Sequence, residues 1–575
     1  MRFPSVPRIY CVGHRDQGDS TPFAPNTIQE EPRVRQRTIA ALTLLFTIAT
    51  VPQPGAVVAA EPPAATPPAA DASAQQRFDV HEYRVLGNTV FSNREIEGVL
   101  YPRLGDGKTF DDVKAAQAAL EAAYHSAGYA TVFVDIPPQE VTDGVVRLRV
   151  TEGRLRTRTI SGARYFSEGK LLEQLPATQP GQVPKLPELQ RELNAVNTQT
   201  ADRSVVPVLK AGPDPGTMDL ALTVNDHLPL HGSLDLNNDY TADTSSLRAT
   251  VGLSYDNLFG DLDSISLQYT GSPQDTGQVS VANATYGFAP FAGGIRPSLS
   301  FTNSSSNTAT IGTLGVLGKG QIYGARVSVP LVQLPGELQT LNLGIDYKHF
   351  RNTISLAESG DTIEPISYVN AILGYAGAWQ RAGQSGSVQQ TWSFDVTGNF
   401  GPRGLANQTL NFDNTRYQAR GNYAYLHADG SFSTRLPGDL LLLLRASGQD
   451  ALDPLVVYEQ MSVTGSDGVR GYLEAEALGD TAWKGTVQLG SPPVVYPHGF
   501  PLGDGFLFFD AGRTHNIYAL PGEPRHVMLR SWGAGLNLLP GHKISGTLTW
   551  GVPLLDGPRT RAHDSRVMFD VKGAF

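Results

Sequence analysis

The sequence predicts a pair of small α+β units followed by an all-β region that closes as a 16-stranded antiparallel transmembrane β-barrel. Three observations point there. The last residues, Val567 to Phe575, place Val567, Phe569, Val571, Gly573 and Phe575 on one face at period two, with Met568, Asp570, Lys572 and Ala574 on the other. From Pro229 to Phe575 alternating segments follow one another without a convincing helix. Before Pro229 one order of elements occurs twice. A strand with one apolar and one charged face suits lipid outside and water inside. The same alternation also suits a half-buried strand ending a soluble β domain, and the rest of the chain weighs for the barrel.

The chain opens with an export signal. Arg33, Arg35 and Arg37 precede an apolar run from Ile39 to Val51, and small residues end in Val58-Ala59-Ala60. A basic region, a short apolar stretch and a small-residue exit are the parts of a secretory signal peptide. The run is too short for a membrane anchor. The polar stretch before it is long: either the signal is extended or the true start lies downstream of Met1. Residues 1–60 are therefore read as leader and signal peptide, with cleavage near Ala60. The only cysteine, Cys11, lies in this leader, so a mature chain would hold neither a disulfide nor a thiolate metal site. Residues 61–77 form a Pro/Ala linker, a solvated tract that proline keeps from forming a helix.

The first unit, residues 78–153, reads β-α-α-β-β. His81 to Leu86 is strand-like, and Ser92-Asn-Arg-Glu95 is a capping box opening a short helix. Thr109 and Asp112 open a longer one that turns Val113, Leu120 and Tyr124 to a core and stops at Gly128. Thr131 to Ile136 and Val145 to Val150 are strands. The second unit, residues 154–228, repeats the order with strands at Thr157 to Gly162, Ser204 to Leu209 and Leu220 to Val224. Its helices run from Ser167 to Leu175 and through Leu186, Leu189, Leu193 and Val196 at helical spacing. Each unit offers a small sheet whose edge can accept an added strand.

Residues 229–575 form the barrel region. Clear segments are Ser264 to Tyr269, Leu341 to Tyr347, Thr391 to Gly398 and Gly505 to Gly512. About sixteen segments leave about 22 residues for each strand with its connection, enough for a tilted crossing and a loop. Leu334-Pro-Gly336, Leu436-Pro-Gly438 and Leu539-Pro-Gly541 fall at even-to-odd connections, the side of short turns if the chain enters from the periplasm. A fourth copy, Leu520-Pro-Gly522, falls in an odd-to-even loop, so the triplet alone assigns no side. Leu440 to Leu444 is apolar on both faces, and periodicity does not place its lumen side.

The longest late connection, about Ala451 to Asp480, would lie between strands 11 and 12. It carries Val469-Arg470-Gly471-Tyr472, and one strand later comes Phe508-Phe509-Asp510-Ala511-Gly512. An aspartate on a barrel strand faces the aqueous lumen, because a charge toward lipid is costly. Asp510 would seek a cation there, and Arg470 is the obvious partner if its loop folds inward. The plainer alternatives are a solvated loop arginine and a turn aspartate at a strand end.

These residues resemble a known family. Val469, Arg470, Gly471 and Tyr472 as a loop tip, with Phe508, Asp510 and Gly512 on a following strand, look like the outer-membrane assembly and translocation superfamily. There the loop tucks into the lumen and its arginine pairs with the strand aspartate. The two βααββ units look like that family's periplasmic polypeptide-transport-associated (POTRA) domains. A pair of these with a 16-stranded barrel resembles the TpsB transporters of two-partner secretion, the haemolysin/adhesin secretion proteins. Tyr255 to Gly260 resembles their early Asn-x-x-Gly turn, and Phe569, Val571 and Phe575 resemble the C-terminal signal for barrel assembly. The chain departs from many members in having a Pro/Ala tract where they carry a pore-plugging helix.

The resemblance implies an outer-membrane translocator of a Gram-negative bacterium, with its N-terminal domains in the periplasm. Its implied partners are a secreted exoprotein of adhesin or haemolysin type, outer-membrane lipid, and the barrel-assembly machinery during biogenesis. The rival reading is a barrel-assembly insertase, which would carry more periplasmic domains. A passive porin needs neither these domains nor the loop motif. The chain shows no Gly-x-Ser-x-Gly, His-Glu-x-x-His or P-loop motif, and its 12 His are scattered, so no enzyme, cofactor or metal is expected. A net charge of −10 suggests no nucleic-acid partner.

Overall fold

The computed structural model describes residues 77–575, apart from 307–308, 312–313, 335, 357–359, 384–387, 406–408, 496–500 and 542. The leader, the signal peptide and nearly all of the linker lie outside the described residues.

The first unit contains β1 (Phe78–Val80), β2 (Glu82–Leu86), α1 (Asn93–Leu100), β3 (Gly105–Lys108), α2 (Phe110–Ser126), β4 (Val132–Asp135) and β5 (Val145–Glu152). Glu95 accepts the Ser92 N–H at 2.8 Å and its hydroxyl at 2.7 Å, so the capping box starts α1. Asp112 does the same for Thr109 at α2. The three-stranded sheet has the order β2-β5-β4, with Val146, Leu148 and Val150 packed under Val113, Ala116, Leu120 and Tyr124. β1 and β3 pair as a separate ribbon that sequence reading missed; Gly105-Asp-Gly-Lys108 has no apolar alternation to reveal a strand.

The second unit contains β6 (Arg154–Ser161), α3 (Glu168–Glu173), α4 (Leu186–Asn197), β7 (Arg203–Ala211) and β8 (Thr217–Asp226), with sheet order β6-β8-β7. The two units repeat at residue level. Gly87 (φ 85°) and Gly162 (φ 90°) occupy equivalent turns where a Cβ would sit 2.4 Å from the Val150 carbonyl oxygen or 2.3 Å from that of Val224. Beside these turns an acid closing the last strand gathers backbone donors. Glu152 takes the N–H groups of Thr89 and Val90, and Asp226 those of Arg164, Tyr165 and Phe166. The units abut where α2 ends: Gly128 accepts the Leu186 N–H at 2.9 Å, and a Cβ on it would strike Pro187 at 2.6 Å.

Sixteen strands then close one antiparallel barrel, as the sequence predicts. They are β9 (Leu230–Asn237), β10 (Arg248–Leu258), β11 (Asp263–Gly271), β12 (Ser280–Gly287), β13 (Arg296–Ser304), β14 (Gly320–Leu334), β15 (Glu337–Leu356) and β16 (Gly360–Ala382). The second half is β17 (Val388–Phe400), β18 (Ala424–Arg435), β19 (Leu441–Ala451), β20 (Thr481–Gly490), β21 (Pro501–His515), β22 (His526–Gly541), β23 (Ile544–Pro553) and β24 (Arg566–Ala574). Val251, Leu253, Leu507, Trp532, Leu536 and Val571 point outward and are exposed, a band that only lipid would cover. In the doubly apolar run, Leu443 and Arg445 line the lumen, which settles its faces. Among the described residues the region holds one short α-helix that sequence reading missed, α5 (Thr409–Thr415), which buries Phe412; two turns are too few to show a helical period. Phe575 follows β24, and its ring fills the space over Gly232, where a Cβ would sit 2.1 Å from it. Val571 pairs with Leu236 of β9, whereas Phe569 pairs with Leu548 of β23 and, just past the end of β9, exchanges hydrogen bonds with Asn238.

Candidate functional site in the barrel lumen

The connection from β19 to β20, residues 452–480, folds into the lumen, with Val463, Val469 and Tyr472 fully buried. Arg470 and Asp510 are brought together: Nε lies 2.8 Å from Oδ2 and Nη2 donates to Oδ1 at 2.9 Å. The Arg470 backbone N–H adds a third bond to Asp510 at 3.1 Å, and Nη1 donates to Gln488 of β20 at 3.0 Å. A bidentate guanidinium–carboxylate contact fixes direction as well as charge. Asp510 is fully buried and the Arg470 side chain 11% exposed, so neither can lose the other cheaply.

The strand motif explains itself around this pair. Phe508 lies opposite Gly533 of β22, and its ring occupies the space a Gly533 side chain would need. The same ring receives the Arg470 guanidinium 3.5 Å from its centroid. Gly512 leaves room for the loop, since a Cβ there would lie 3.0 Å from Val469 and 3.1 Å from Val463. Gly471 (φ 98°) turns the chain against Gly551 and Pro553, and Tyr472 donates its hydroxyl to the carbonyls of Leu555 (2.7 Å) and Arg530 (3.1 Å).

Sequence reading missed the loop's other anchors. Glu459 pairs with Lys348 of β15 at 2.5 Å and accepts the hydroxyls of Tyr368 (2.6 Å) and Tyr425 (2.8 Å). Asp480 pairs with Arg416, which follows α5, and accepts the N–H groups of Leu455 and Ile517. Ser466 donates to Asp239 beyond β9 at 2.8 Å, and Arg566 of β24 donates to the Tyr472 carbonyl at 2.6 Å. These anchors join residues 25 to 227 positions apart, and no local pattern marks such pairs. Around the loop remains a cavity of ≈ 1380 Å³ lined by polar and charged residues, among them Asp235, Arg326, Asp346, Asp395, Arg445 and Lys484.

The early turn between β10 and β11 meets the second periplasmic unit. Asn257 donates to the Tyr165 carbonyl at 2.8 Å and accepts the Leu262 N–H at 3.1 Å. Lys170 of α3 pairs with Asp261, and Leu262 packs on the second unit's core. Phe259 (φ 56°) and Leu262 (φ 67°) are held in the left-handed region by these contacts.

Paired βααββ units leading into a 16-stranded barrel, with a loop tucked into its lumen, define an outer-membrane transporter of polypeptides. Residues 78–153 match the POTRA domain, ShlB-type, and residues 216–538 match the haemolysin secretion/activation protein family ShlB/FhaC/HecB. The second match spans more than half of the chain, which belongs to this family and sits in the outer membrane. The chain is similar to the outer membrane transporter CdiB of Escherichia coli O6:K15:H31, 24% identical over 83% of this chain and 79% of that protein. It is also similar to the heme/hemopexin transporter protein HuxB of Haemophilus influenzae, 21% identical over 80% and 81%. Among solved structures, CdiB from Escherichia coli superposes with TM-score 0.57 at 19% identity, covering 89% of this chain and 93% of that one. BamA from Haemophilus ducreyi lacking POTRA domains 1–3 superposes with TM-score 0.54 at 14% identity, over 87% and 100%, so the barrel-assembly protein shares the fold.

Proposed function

We propose that this chain exports one large β-rich exoprotein in unfolded form, and that the Arg470–Asp510 pair holds the loop that obstructs its route. The observation that carries this reading is a polar lumen filled by a loop held through side-chain pairs rather than a β-ladder. Side-chain pairs can break and re-form without dismantling the wall. The periplasm offers no ATP, so folding of the partner outside supplies the work. Val469, Gly471 and Tyr472 shape the loop tip, and Phe508 and Gly512 shape the wall that receives it. Phe569, Val571 and Phe575 serve the barrel-assembly machinery during insertion, after which lipid covers the outer band. We assign the chain no catalytic step and no cofactor.

The periplasmic units receive the partner's N-terminal region by strand addition, and the edges available are unequal. The outer edge of β4 is occupied: Gln117 bonds the Val134 carbonyl at 2.7 Å, Glu121 takes its N–H at 2.9 Å, and His125 meets the Val132 carbonyl at 3.0 Å. On β7, Asn197 occupies both backbone groups of Val205, and Pro207 has no N–H to offer. The N-terminal end of β6 is covered by Gly181 and Gln182. Among the described residues β2 is paired only with β5, which leaves its outer edge to an incoming strand.

The test places a photo-crosslinking residue at Arg84 or Leu86 on β2, and at Phe133 on β4, in the full-length protein in its own cells. Capture of one large exported protein through its N-terminal region, from β2 and not β4, is the expected result. Capture of many unrelated barrel precursors would favour the insertase reading instead.

A further inference from the structure

Three donor groups from three separate elements meet where the second periplasmic unit touches the barrel mouth. Asp202 stands just before β7, His231 lies on β9 and Asp256 on β10. In the β9–β10 ladder His231 faces Ser254, which makes Asp256 its diagonal neighbour on the same side. That side is the inner one, since Asp235, Asn237 and Thr250 in the same alternation line the lumen. His231 Nε2 lies 3.0 Å from Asp202 Oδ2 and 3.5 Å from Asp256 Oδ2. The three ligand atoms all lie within 4.8 Å of one another.

This arrangement does not satisfy itself. A ring nitrogen carries at most one proton, so two carboxylates aimed at the same nitrogen cannot each receive a full hydrogen bond from it. Among the described residues no lysine or arginine pairs with either carboxylate. The cluster therefore keeps at least one negative charge in excess whether the imidazole is neutral or protonated. Part of that charge is withdrawn from water, because the Asp202 side chain is only 9% exposed. Asp202 is also fixed from behind. Thr200 Oγ1 contacts its carboxylate at 3.3 Å and its N–H at 3.1 Å, and the His227 N–H donates to its carbonyl at 2.8 Å. Outer contacts of this kind orient metal ligands.

We propose that Asp202, His231 and Asp256 bind a divalent transition-metal ion of the zinc class, which ties the second periplasmic unit to the barrel mouth. Ligands bonded tetrahedrally at about 2.0–2.1 Å stand roughly 3.3 Å apart, and the observed nitrogen–oxygen separations of 3.0 and 3.5 Å bracket that spacing. One imidazole with two carboxylates favours such an ion over Mg²⁺ or Ca²⁺, which prefer oxygen alone. Three protein ligands leave the fourth position to water. The ion adds a further tie to a joint already made by Asn257 with Tyr165 and Lys170 with Asp261, among others. This holds whatever polypeptide is exported.

The experiment titrates Co²⁺, as an optical stand-in for Zn²⁺, into chelator-treated full-length protein in detergent. It then compares His231→Ala, Asp202→Asn and His81→Ala. His81 belongs to a second cluster with Asp79 and Asp106 that is wholly exposed, and it serves as the control. A tetrahedral cobalt band saturating at one equivalent is expected. It should weaken at least about 10-fold in His231→Ala and Asp202→Asn and stay unchanged in His81→Ala. Spin labels at Gln190 and Phe291, on a Cys11→Ala background, should report a narrower distance distribution with Zn²⁺ than without. Absence of the band, or its persistence in His231→Ala, overturns the site. A band without narrowing overturns its role in the joint. Narrowing by pH alone in metal-free protein would replace the ion with a proton.

Discussion

Lys348 and Glu459 form a buried ion pair across the lumen from Arg470 and Asp510, with side chains 5% and 1% exposed. Tyr368 and Tyr425 both donate to the same carboxylate, so the loop's first half is tied to β15, β16 and β18 as its tip is to β20 and β21. The loop therefore bridges the barrel rather than lying along one wall.

Lys348→Met should loosen that first half. It leaves Glu459 buried without a counter-charge, a loss of about 3–5 kcal/mol in local stability. Single-channel conductance in planar bilayers should rise, and the double variant Lys348→Met/Glu459→Gln should return part of the way to the parent. Unchanged conductance would mean that the pair does not hold the loop.

Asp510→Ala removes the acceptor of three bonds from Arg470. The amount of partner in the medium should fall at least about 10-fold, because the pair fixes the loop conformation from which transport proceeds, and a loop that loses a contact of several kcal/mol no longer returns to it. Heat-modifiable gel migration should show the barrel still folded and inserted. Failed insertion would make the pair a structural brace instead.

The two glycines facing the phenylalanines should differ in tolerance. A Cβ at Gly533 would sit 2.0 Å from the Trp550 carbonyl oxygen, whereas at Gly535 the nearest obstacle is the Phe506 ring at 2.2 Å. A ring can turn aside, but a ladder carbonyl cannot. Gly533→Ala should cost about 1–3 kcal/mol and expose the bond after Arg470 to trypsin, with Gly535→Ala much closer to the parent.

Glu152 supplies a pH test outside the membrane. Burial works to raise its carboxyl, but hydrogen bonds from Thr89 and Val90, with Arg154, outweigh it and hold the group below the ordinary range. A carboxyl lowered on folding stabilises above its unfolded value of about 4.3, and that stabilisation is lost as pH falls through the folded value. Urea unfolding of the periplasmic units in the full-length protein should therefore weaken below about pH 4. Glu152→Gln should unfold earlier at neutral pH and lose most of this acid dependence.

What the sequence made legible follows from how local each signal is. Capping boxes at Ser92 and Thr109, helical spacing from Leu186 to Val196 and strand alternation are short-range patterns, and the units and the strand count could be read from them. Arg470 and Asp510 stood out because a charge on a membrane strand needs a reason and a nearby loop held one. Glu459, Asp480, Lys348 and Arg416 gave no such sign, because their partners come from strands and loops that only barrel closure brings together. Nothing in the sequence marks Gly533 and Gly535 as places where Phe508 and Phe506 lie across the neighbouring strand. The β1–β3 ribbon and α5 were missed because each is too short to repeat its own period.

Three buried ion pairs hold the loop, with a more exposed one between Arg420 and Asp453, and no backbone ladder joins it to the wall among the described residues. Release can then proceed as a staircase instead of a cliff. Undoing one pair leaves the others engaged, so each step requires only a fraction of the whole opening energy. On the reading proposed above, in which the folding passenger supplies the work, that subdivision lets a pull that arrives in small increments suffice.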